Sequence, residues 1–527
     1  MQKSDLEEPF FISTAIPYVN ARPHLGFALE MIQTDAFARF QRLKGADVRF
    51  LTGADENSLS NLQAAEAEGI PTHELVDRNA EYFKALRDQL NISFDDFIRT
   101  SVDPRHLEGA AKLWGLCFTN GDIYKKPYRG LYCVGCEQFY SEEELTDGLC
   151  PEHQVRPELI EEENYFFRLS GYQDELARLI ETDTIKIVPT TRKNEVLSFI
   201  RMGLNDFSVS RSVRRARGWG VPIPGDQDQV MYVWFDALSN YINALDFVGE
   251  GEQFQRYWAT NPNRVHVIGK GIIRFHAVYW PAMLLSAGLP LPSTIFVHGY
   301  ITVHGTKMSK TLGNVVDPVE LANRYGVDAL RYYLLRKIPP TEDGNFTLDS
   351  LIQTFNSDLA DQLGNLLSRV AGMVGRYYEG VVPAPGTKDP ADENLKTKAH
   401  ALPAALDRSM ERFSPQEALA LIWDLVAEAN RYVVEVEPWT LAKRRAEDPA
   451  AEQRLGTALY NLAEVLRITA CACAAFLPAT GDAILVQLGL TPVSGPADYN
   501  LEWGGYPAGT SLVGGANLFP KLDVPAQ

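Results

Sequence analysis

The sequence predicts an α/β protein with an interrupted parallel sheet and an all-α helical bundle after it. Three observations lead there. Residues 10–115 alternate short apolar runs with helical periodicity, the pattern of parallel strands joined by crossover helices. The alternation resumes after residue 220, beyond a stretch rich in tyrosine, cysteine and arginine. From residue 351 onward only helical periodicity remains. At 527 residues the chain is too long for one core, so several domains are expected.

The first predicted strand is the run Phe11–Ile16, broken by Pro17 and again by Pro23. From His24 a helical pattern follows, with Leu25, Ala28, Leu29, Ile32, Ala36, Phe37 and Phe40 on one face. A helix start pointing back over a strand end offers free N–H groups and a positive dipole end to a phosphate. His24 lies at that start, and Gly26 lets a bulky group approach the backbone. An ordinary strand, turn and capped helix fits the same stretch. The second strand, Val48–Leu51, runs into Thr52-Gly53-Ala54-Asp55-Glu56-Asn57. Ligands of open parallel sheets sit at the carboxyl ends of strands, so Asp55 is placed to hold an ammonium group. Helix N-capping is the alternative use of Asp55 and Glu56.

Residues 116–170 crowd tyrosines around Cys133-Val134-Gly135-Cys136, followed thirteen residues later by Cys150-Pro151-Glu152-His153. Two tight pairs of sulfur and imidazole ligands fit tetrahedral zinc, and with all four positions filled by protein the ion is structural. A redox dithiol would not need the second pair. Residues 186–217 carry Lys186, Arg192, Lys193, Arg201, Arg211, Arg214, Arg215 and Arg217 against Glu195 and Asp206. A phosphate-binding surface and a solvated charged face both fit this run. The α/β pattern then returns: a strand over Gln229–Leu238 entering a turn, a helix carrying Tyr241, a strand Arg264–Gly269, a helix from Phe275 to Met283, and a strand Thr294–Tyr300. Trp234, Tyr241 and His276 fall at strand ends, where aromatics suit an apolar side-chain site or plain core packing. Gly305-Thr306-Lys307-Met308-Ser309-Lys310-Thr311 is a glycine-flanked loop with movable positive charge. In the helical part, Leu359, Leu363, Leu366, Leu367 and Val370 form one stripe, Ala418–Val426 another, and Leu455–Cys473 a third.

The composition is 45% hydrophobic and 22% charged, that of a globular protein, and the formal net charge of −18 argues against a wholly basic nucleic-acid-binding surface. Six cysteines in this length do not read as a secreted disulfide framework. No apolar run long enough for a transmembrane helix occurs, and the acidic first residues do not resemble a signal peptide, so a cytoplasmic location and no membrane partner are expected.

Taken together, His24-Leu25-Gly26-Phe27 and Lys307-Met308-Ser309-Lys310-Thr311 resemble the paired HIGH and KMSKS signatures of class I aminoacyl-tRNA synthetases. Ala15–Asn20, Thr52–Glu56, Tyr232–Ala237, Phe275–Ala282 and Glu437-Pro438-Trp439 resemble methionyl-tRNA synthetases, and the cysteine spacing resembles their single-knuckle form. The resemblance spans about residues 10–510. It implies a Rossmann-like catalytic domain in two halves (1–115 and 221–300), a connective insertion with the zinc knuckle (116–220), a KMSKS loop and linker (301–350), a helical anticodon-binding domain (351–510) and a tail (511–527) that wraps back over the surface. Ala15, Ile16, Tyr18, Asp55, Trp234, Ala237, Leu238, Tyr241, Ile272 and His276 would line the amino-acid site. His24, Gly26, Lys307, Ser309 and Lys310 would hold ATP, with His24, Lys307 and Lys310 serving catalysis. Cys133, Cys136, Cys150 and His153 would bind one Zn²⁺, and Asn365, Arg369 and Trp439 would read the anticodon. ATP, Mg²⁺, methionine and tRNA(Met) are the implied cofactors and partners, and a monomer is expected.

The sequence departs from the family pattern at Phe27, where a second histidine is usual, at Gly271, where aspartate is usual, and at Asn57-Ser58 in place of His-Gly. These changes keep open a paralogue that activates an amino acid for a non-translational transfer. The anticodon motifs favour tRNA charging. The insertion is too small for the editing domain of isoleucine, valine and leucine enzymes.

Overall fold

The computed structural model describes residues 8–152, 154–308 and 314–523. It divides into two compact units. One runs through Thr34 and then from Asp47 to Gly299; the other holds Asp35–Ala46 and everything from Tyr300 onward.

The first unit is built on a six-stranded, wholly parallel sheet. Its strands are β1 (Pro9–Thr14), β2 (Asp47–Ala54), β3 (Asp96–Arg99), β4 (Lys186–Val188), β5 (Arg264–Gly269) and β6 (Thr294–His298). Their order across the sheet is β3-β2-β1-β5-β6-β4. Phe11, Ile12, Phe50 and Leu51 are buried, because crossover helices cover both faces and continuous apolar runs are what such strands require. From β1 the chain builds outward to β2 and β3, then returns to place β5 on the other side. The order therefore reverses between β1 and β5, and the crevice at the carboxyl ends of these two strands is where open α/β sheets bind ligands.

Three sequence expectations for this unit are revised. The sheet is not idle through residues 116–220: β4, from within that span, pairs with β6 at the sheet edge, with Ile187 opposite Ile295. Its three residues are too short for periodicity to register. The strand expected over Gln229–Leu238 ends at Met231, and Val233–Leu238 is a helical turn with Tyr232 at its N-cap. All six residues of that turn are buried, and a run this short, buried on every side, carries no helical period. The helix expected from Phe275 begins as a π turn, Phe275–Tyr279, before regular helix over Trp280–Ser286.

The insertion is a four-stranded antiparallel sheet. Ile123–Cys133 pairs along its length with Glu158–Phe167, flanked by Gln138–Tyr140 and Phe207–Ser208. Tyr124–Gly130 alternates half-buried and exposed residues, as a sheet with one solvated face does. The basic run at 186–217 is largely neutralised where it folds. Arg192 pairs with Glu195, Lys193 with Asp183, Arg201 with Glu181, Arg211 with Glu137, Arg215 with Glu162 and Arg217 with Glu66. Five of those carboxylates lie outside the run, so reading the run by itself missed them.

In the second unit, Ile301–Val303 pairs with Thr306–Lys307 and with Gly344–Phe346. Helices follow almost without interruption. Leu359, Leu363, Leu366, Leu367 and Val370 form the expected buried stripe, but the helix carrying it is π-wound over Phe355–Gly364. Pro449–Cys473 is the hub, with every residue from Leu455 to Cys473 buried. The tail returns over this unit: Leu512 N–H donates to the Gly380 carbonyl (2.8 Å) and Val513 N–H to that of Gln487 (3.0 Å).

Candidate functional site

The site begins where β1 and β2 run out. Asp55 N–H donates to the Pro17 carbonyl (2.9 Å), and Tyr18 and Asp55 form an isolated parallel bridge beyond the sheet proper. Gly53 makes this approach possible: a Cβ there would meet the Ile98 carbonyl oxygen at 2.3 Å and the Ile16 Cγ2 at 3.1 Å. The Ala15 N–H donates to Glu30 Oε1 (2.9 Å), and Glu30 Oε2 bonds His298 Nε2 at the end of β6 (2.8 Å). Glu30 thus ties the turn after β1 to the far side of the crevice.

Asp55 is 1% exposed. Burial first, then the carboxylates of Asp236 and Glu137, hold its carboxyl well above the usual carboxylate range. It caps no helix. Ser58 is the N-cap of the helix Leu59–Glu68 and accepts from Asn61 N–H (3.1 Å), while Glu56 is engaged by Arg99 (2.6 Å) and Ser101. Asn57, the position that departs from the family, donates to Asp236 Oδ2 (2.7 Å), and Asp236 also bonds the buried His106.

Facing Asp55 is an aromatic wall. Trp234 lies flat on Phe275, with centroids 3.8 Å apart and planes 5° from parallel. Tyr18 meets Trp234 at 6.4 Å, and His276 meets it edge-on at 6.2 Å. Ala237 and Leu238 are buried on the same helical turn; Ile272 is half-buried. His276 Nδ1–H donates to the Ile272 carbonyl (3.0 Å), so Nε2 accepts from the Tyr241 hydroxyl (2.7 Å). Burial lowers this imidazole to about 4, leaving it neutral at neutral pH. Beneath it, His266 Nε2 accepts from the Trp280 indole (3.2 Å), so Nδ1–H donates to Ser13 Oγ (2.8 Å) across the β1–β5 pair. The indole nitrogen of Trp234 and the hydroxyl of Tyr18 are buried with no hydrogen-bond partner among the described residues.

His24 is exposed immediately before the helix α1, Leu25–Leu43. Its Nδ1 accepts from Gly26 N–H (3.0 Å), which leaves the proton of the neutral ring on Nε2. Phe27 turns into an apolar cluster with Val19, Ala54 and Phe83, meeting the Phe83 ring at 5.0 Å. Gly271 is exposed in a single helical turn after β5.

Cys133, Cys136 and Cys150 bring their sulfurs within 4.8 Å of one another, with Cys136 and Cys150 at 3.2 Å. A tetrahedral zinc ion with bonds of about 2.3 Å holds its sulfurs about 3.8 Å apart, so the three fit that ion. The neighbouring Cys133 sulfur, then burial, push the Cys136 thiol up, the reverse of what a bound cation does. His153, Ser309 and Lys310 lie outside the described residues, as does the Lys307 side chain; the Lys307 backbone pairs with Thr302.

Asn365 is exposed and Arg369 half-buried one turn apart on the helix Asn365–Tyr378. That helix packs against Pro438–Arg444, which carries Trp439 at 36% exposure, while Pro438 is buried. The alternative of a core tryptophan after a helix-ending proline therefore fails.

Sequence reading missed Glu30, His266, His298, Asp236 and His106. Each is a buried polar residue inside an apolar run or a helical stripe, whose role depends on a partner distant in sequence.

The strand-end site and helical second unit are those of a nucleotide-dependent synthetase. The family model described as "tRNA synthetases class I (M)" matches residues 10–156 and 153–371, and "Anticodon binding domain of methionyl tRNA ligase" matches residues 382–525. Curated relatives include a methionine–tRNA ligase of Brucella suis, 47% identical over 482 residues (91% of each chain). Another, from Mycobacterium tuberculosis, is 44% identical over 526 residues, covering 98% of this chain and 99% of the relative. Among solved structures, the M. tuberculosis methionyl-tRNA synthetase in complex with methionyl-adenylate superposes with a TM-score of 0.92 at 44% identity, over 97% of this chain and 100% of that one. The chain belongs to the methionyl-tRNA synthetase family of class I enzymes.

Proposed function

We propose that the chain activates methionine with ATP and transfers it to the 3′ end of tRNA(Met). The observation carrying this reading is Asp55 set beside the wall of Tyr18, Trp234, Tyr241 and His276. A buried carboxylate next to polarisable rings matches an α-ammonium joined to a thioether side chain. Ala15, Ile16, Ala237, Leu238 and Ile272 complete the amino-acid site. His24 and Gly26, at the N-terminus of α1, receive the ATP phosphates, and Lys307, Ser309 and Lys310 close over the β and γ phosphates.

In the first step a methionine carboxylate oxygen attacks the α-phosphorus, the bond to the β-phosphate bridge breaks, and pyrophosphate leaves. In the second, the 2′-hydroxyl of the terminal adenosine attacks the adenylate carbonyl and AMP leaves. The protein acts by positioning and by stabilising charge. Mg²⁺ bound with the polyphosphate would offset its charge. Zn²⁺, one per chain, would be held by Cys133, Cys136, Cys150 and His153 and would brace the insertion. Asn365, Arg369 and Trp439 read the anticodon, with Trp439 exposed enough to stack on an unpaired base. The enzyme works as a cytoplasmic monomer. A non-translational use of the adenylate is not favoured, since the chain carries the family's anticodon domain. No described helix is long and apolar enough to cross a membrane.

Amino-acid-dependent exchange of pyrophosphate into ATP tests the first step. Exchange with methionine and not with leucine, isoleucine or valine is expected; equal exchange with leucine would sink the assignment.

A further inference from the structure

Glu137 joins the cysteine knuckle to both sides of the amino-acid site. Glu137 follows Cys136 directly and is 0% exposed, although it belongs to a solvated hairpin. Its backbone is left-handed, with φ 51°, a conformation that costs a residue with a long side chain and persists only where surrounding contacts hold it. Within the knuckle its N–H donates to the Val134 carbonyl (3.2 Å), and the other contacts reach mostly outward. One carboxylate oxygen accepts from the N–H of Leu59, the first residue after the Asp55–Ser58 turn. The other accepts from the Tyr132 hydroxyl and from Arg211 Nη2 (3.1 Å), an arginine itself 3% exposed. The Glu137 carbonyl accepts from the hydroxyl of Tyr232, which is the N-cap of the turn bearing Trp234, Ala237 and Leu238. One residue thus grips both the turn that presents the Asp55 carboxylate and the turn that presents the aromatic wall. No hydrogen bond or ion pair of Glu137 among the described residues reaches His24, Gly26 or α1.

We infer that Glu137 is a positioning residue for the amino acid: it sets the distance between the ammonium-binding carboxylate and the side-chain wall, and so couples the knuckle to methionine recognition without serving ATP. The inference rests on the functional reading above. Its test is Glu137→Gln, which keeps the volume but presents an amide donor to Tyr132 or Arg211, with Tyr232→Phe removing only the bond to the Glu137 carbonyl. Steady-state pyrophosphate exchange with methionine and ATP varied separately, methionine binding followed by tryptophan fluorescence, and bound metal per chain are measured on the full-length proteins. Losing a hydrogen bond to a buried charge predicts a methionine KM and Kd raised about tenfold or more in Glu137→Gln. Tyr232→Phe moves the same way by a smaller factor. The ATP KM stays within about twofold and metal content is unchanged. A wild-type enzyme without methionine-dependent exchange would sink the functional reading and this inference with it. With active wild type, an unchanged methionine KM overturns the inference alone. So does a parallel loss of ATP affinity and metal, which would mean that Glu137 only holds the knuckle together. Should Glu137→Gln fail to fold, Tyr232→Phe decides by the same criteria.

Discussion

At the residue scale, the chemistry turns on how protonated Asp55 is before the amino acid arrives. Its carboxyl is held well above the usual range by burial and by Asp236 and Glu137, and an incoming ammonium reverses that balance. Methionine binding then releases a proton wherever the free carboxyl is protonated. Affinity is full above the raised pKa and falls as pH drops through it. Calorimetry in buffers of different ionisation heat should detect that proton near the raised pKa and lose it in Asp55→Asn; buffer-independent heats in the wild type would contradict the assignment. Asp55→Asn should also weaken methionine binding by about 10- to 100-fold, the worth of a charge-assisted contact. His276, lowered to about 4, contributes no titration between pH 6 and 8 on this account. Phe27 packs its ring edge-on against Phe83. Phe27→His should cost about 1 kcal/mol of stability by loss of the ring pair while leaving the adenylation rate unchanged or raised. A large fall in rate would mean the site has been rebuilt around the phenyl ring. Of these residues, a place at or just past a strand end drew attention to Asp55, Trp234 and His276 but left N-capping and core packing open, and only the family resemblance implied their roles. Glu30 and His266 were not legible, because a buried polar residue is intelligible only with its partner, and those partners lie 14 to 268 positions away.

At the element scale, periodicity carried the reading wherever an element was long enough to show a period. α1, the strands β1, β2, β5 and β6, and the stripe from Leu359 to Val370 were legible on that ground. It failed for β3 and β4, with four and three residues, for the wholly buried turn Val233–Leu238, and for the π winding of Phe275–Tyr279 and Phe355–Gly364. The knuckle was legible because metal-ligand spacing is local. Its consequence is testable by removing the metal. Chelation should lower the melting temperature of the full chain by several degrees, since a metal bound only by the folded state stabilises it by mass action. Identical melting curves with and without chelator, on protein shown to have held zinc, would mean the ion braces nothing.

At the scale of the whole molecule, two compact units divide the work, and a function that needs both should fail in separable ways. Trp439 lies in the second unit and Asp55 in the first. Trp439→Ala should leave pyrophosphate exchange within about twofold and cut kcat/KM for tRNA by about 10-fold or more, since stacking a base on an aromatic ring is worth about 1–3 kcal/mol. Equal losses in both assays would make Trp439 a structural residue. The passage from alternating strands and helices to helices alone was legible because the periodicity changes there, whereas the ion pairs that neutralise the run at 186–217 required the fold to bring Glu66, Glu137 and Glu162 to it. The central claim joins both units in one reaction, and labelled methionine offered with ATP and unfractionated tRNA measures it most directly. The account predicts acid-precipitable, alkali-labile methionyl-tRNA formed on a small acceptor fraction at the rate the exchange assay allows. Exchange with methionine but no charging of any tRNA would contradict it.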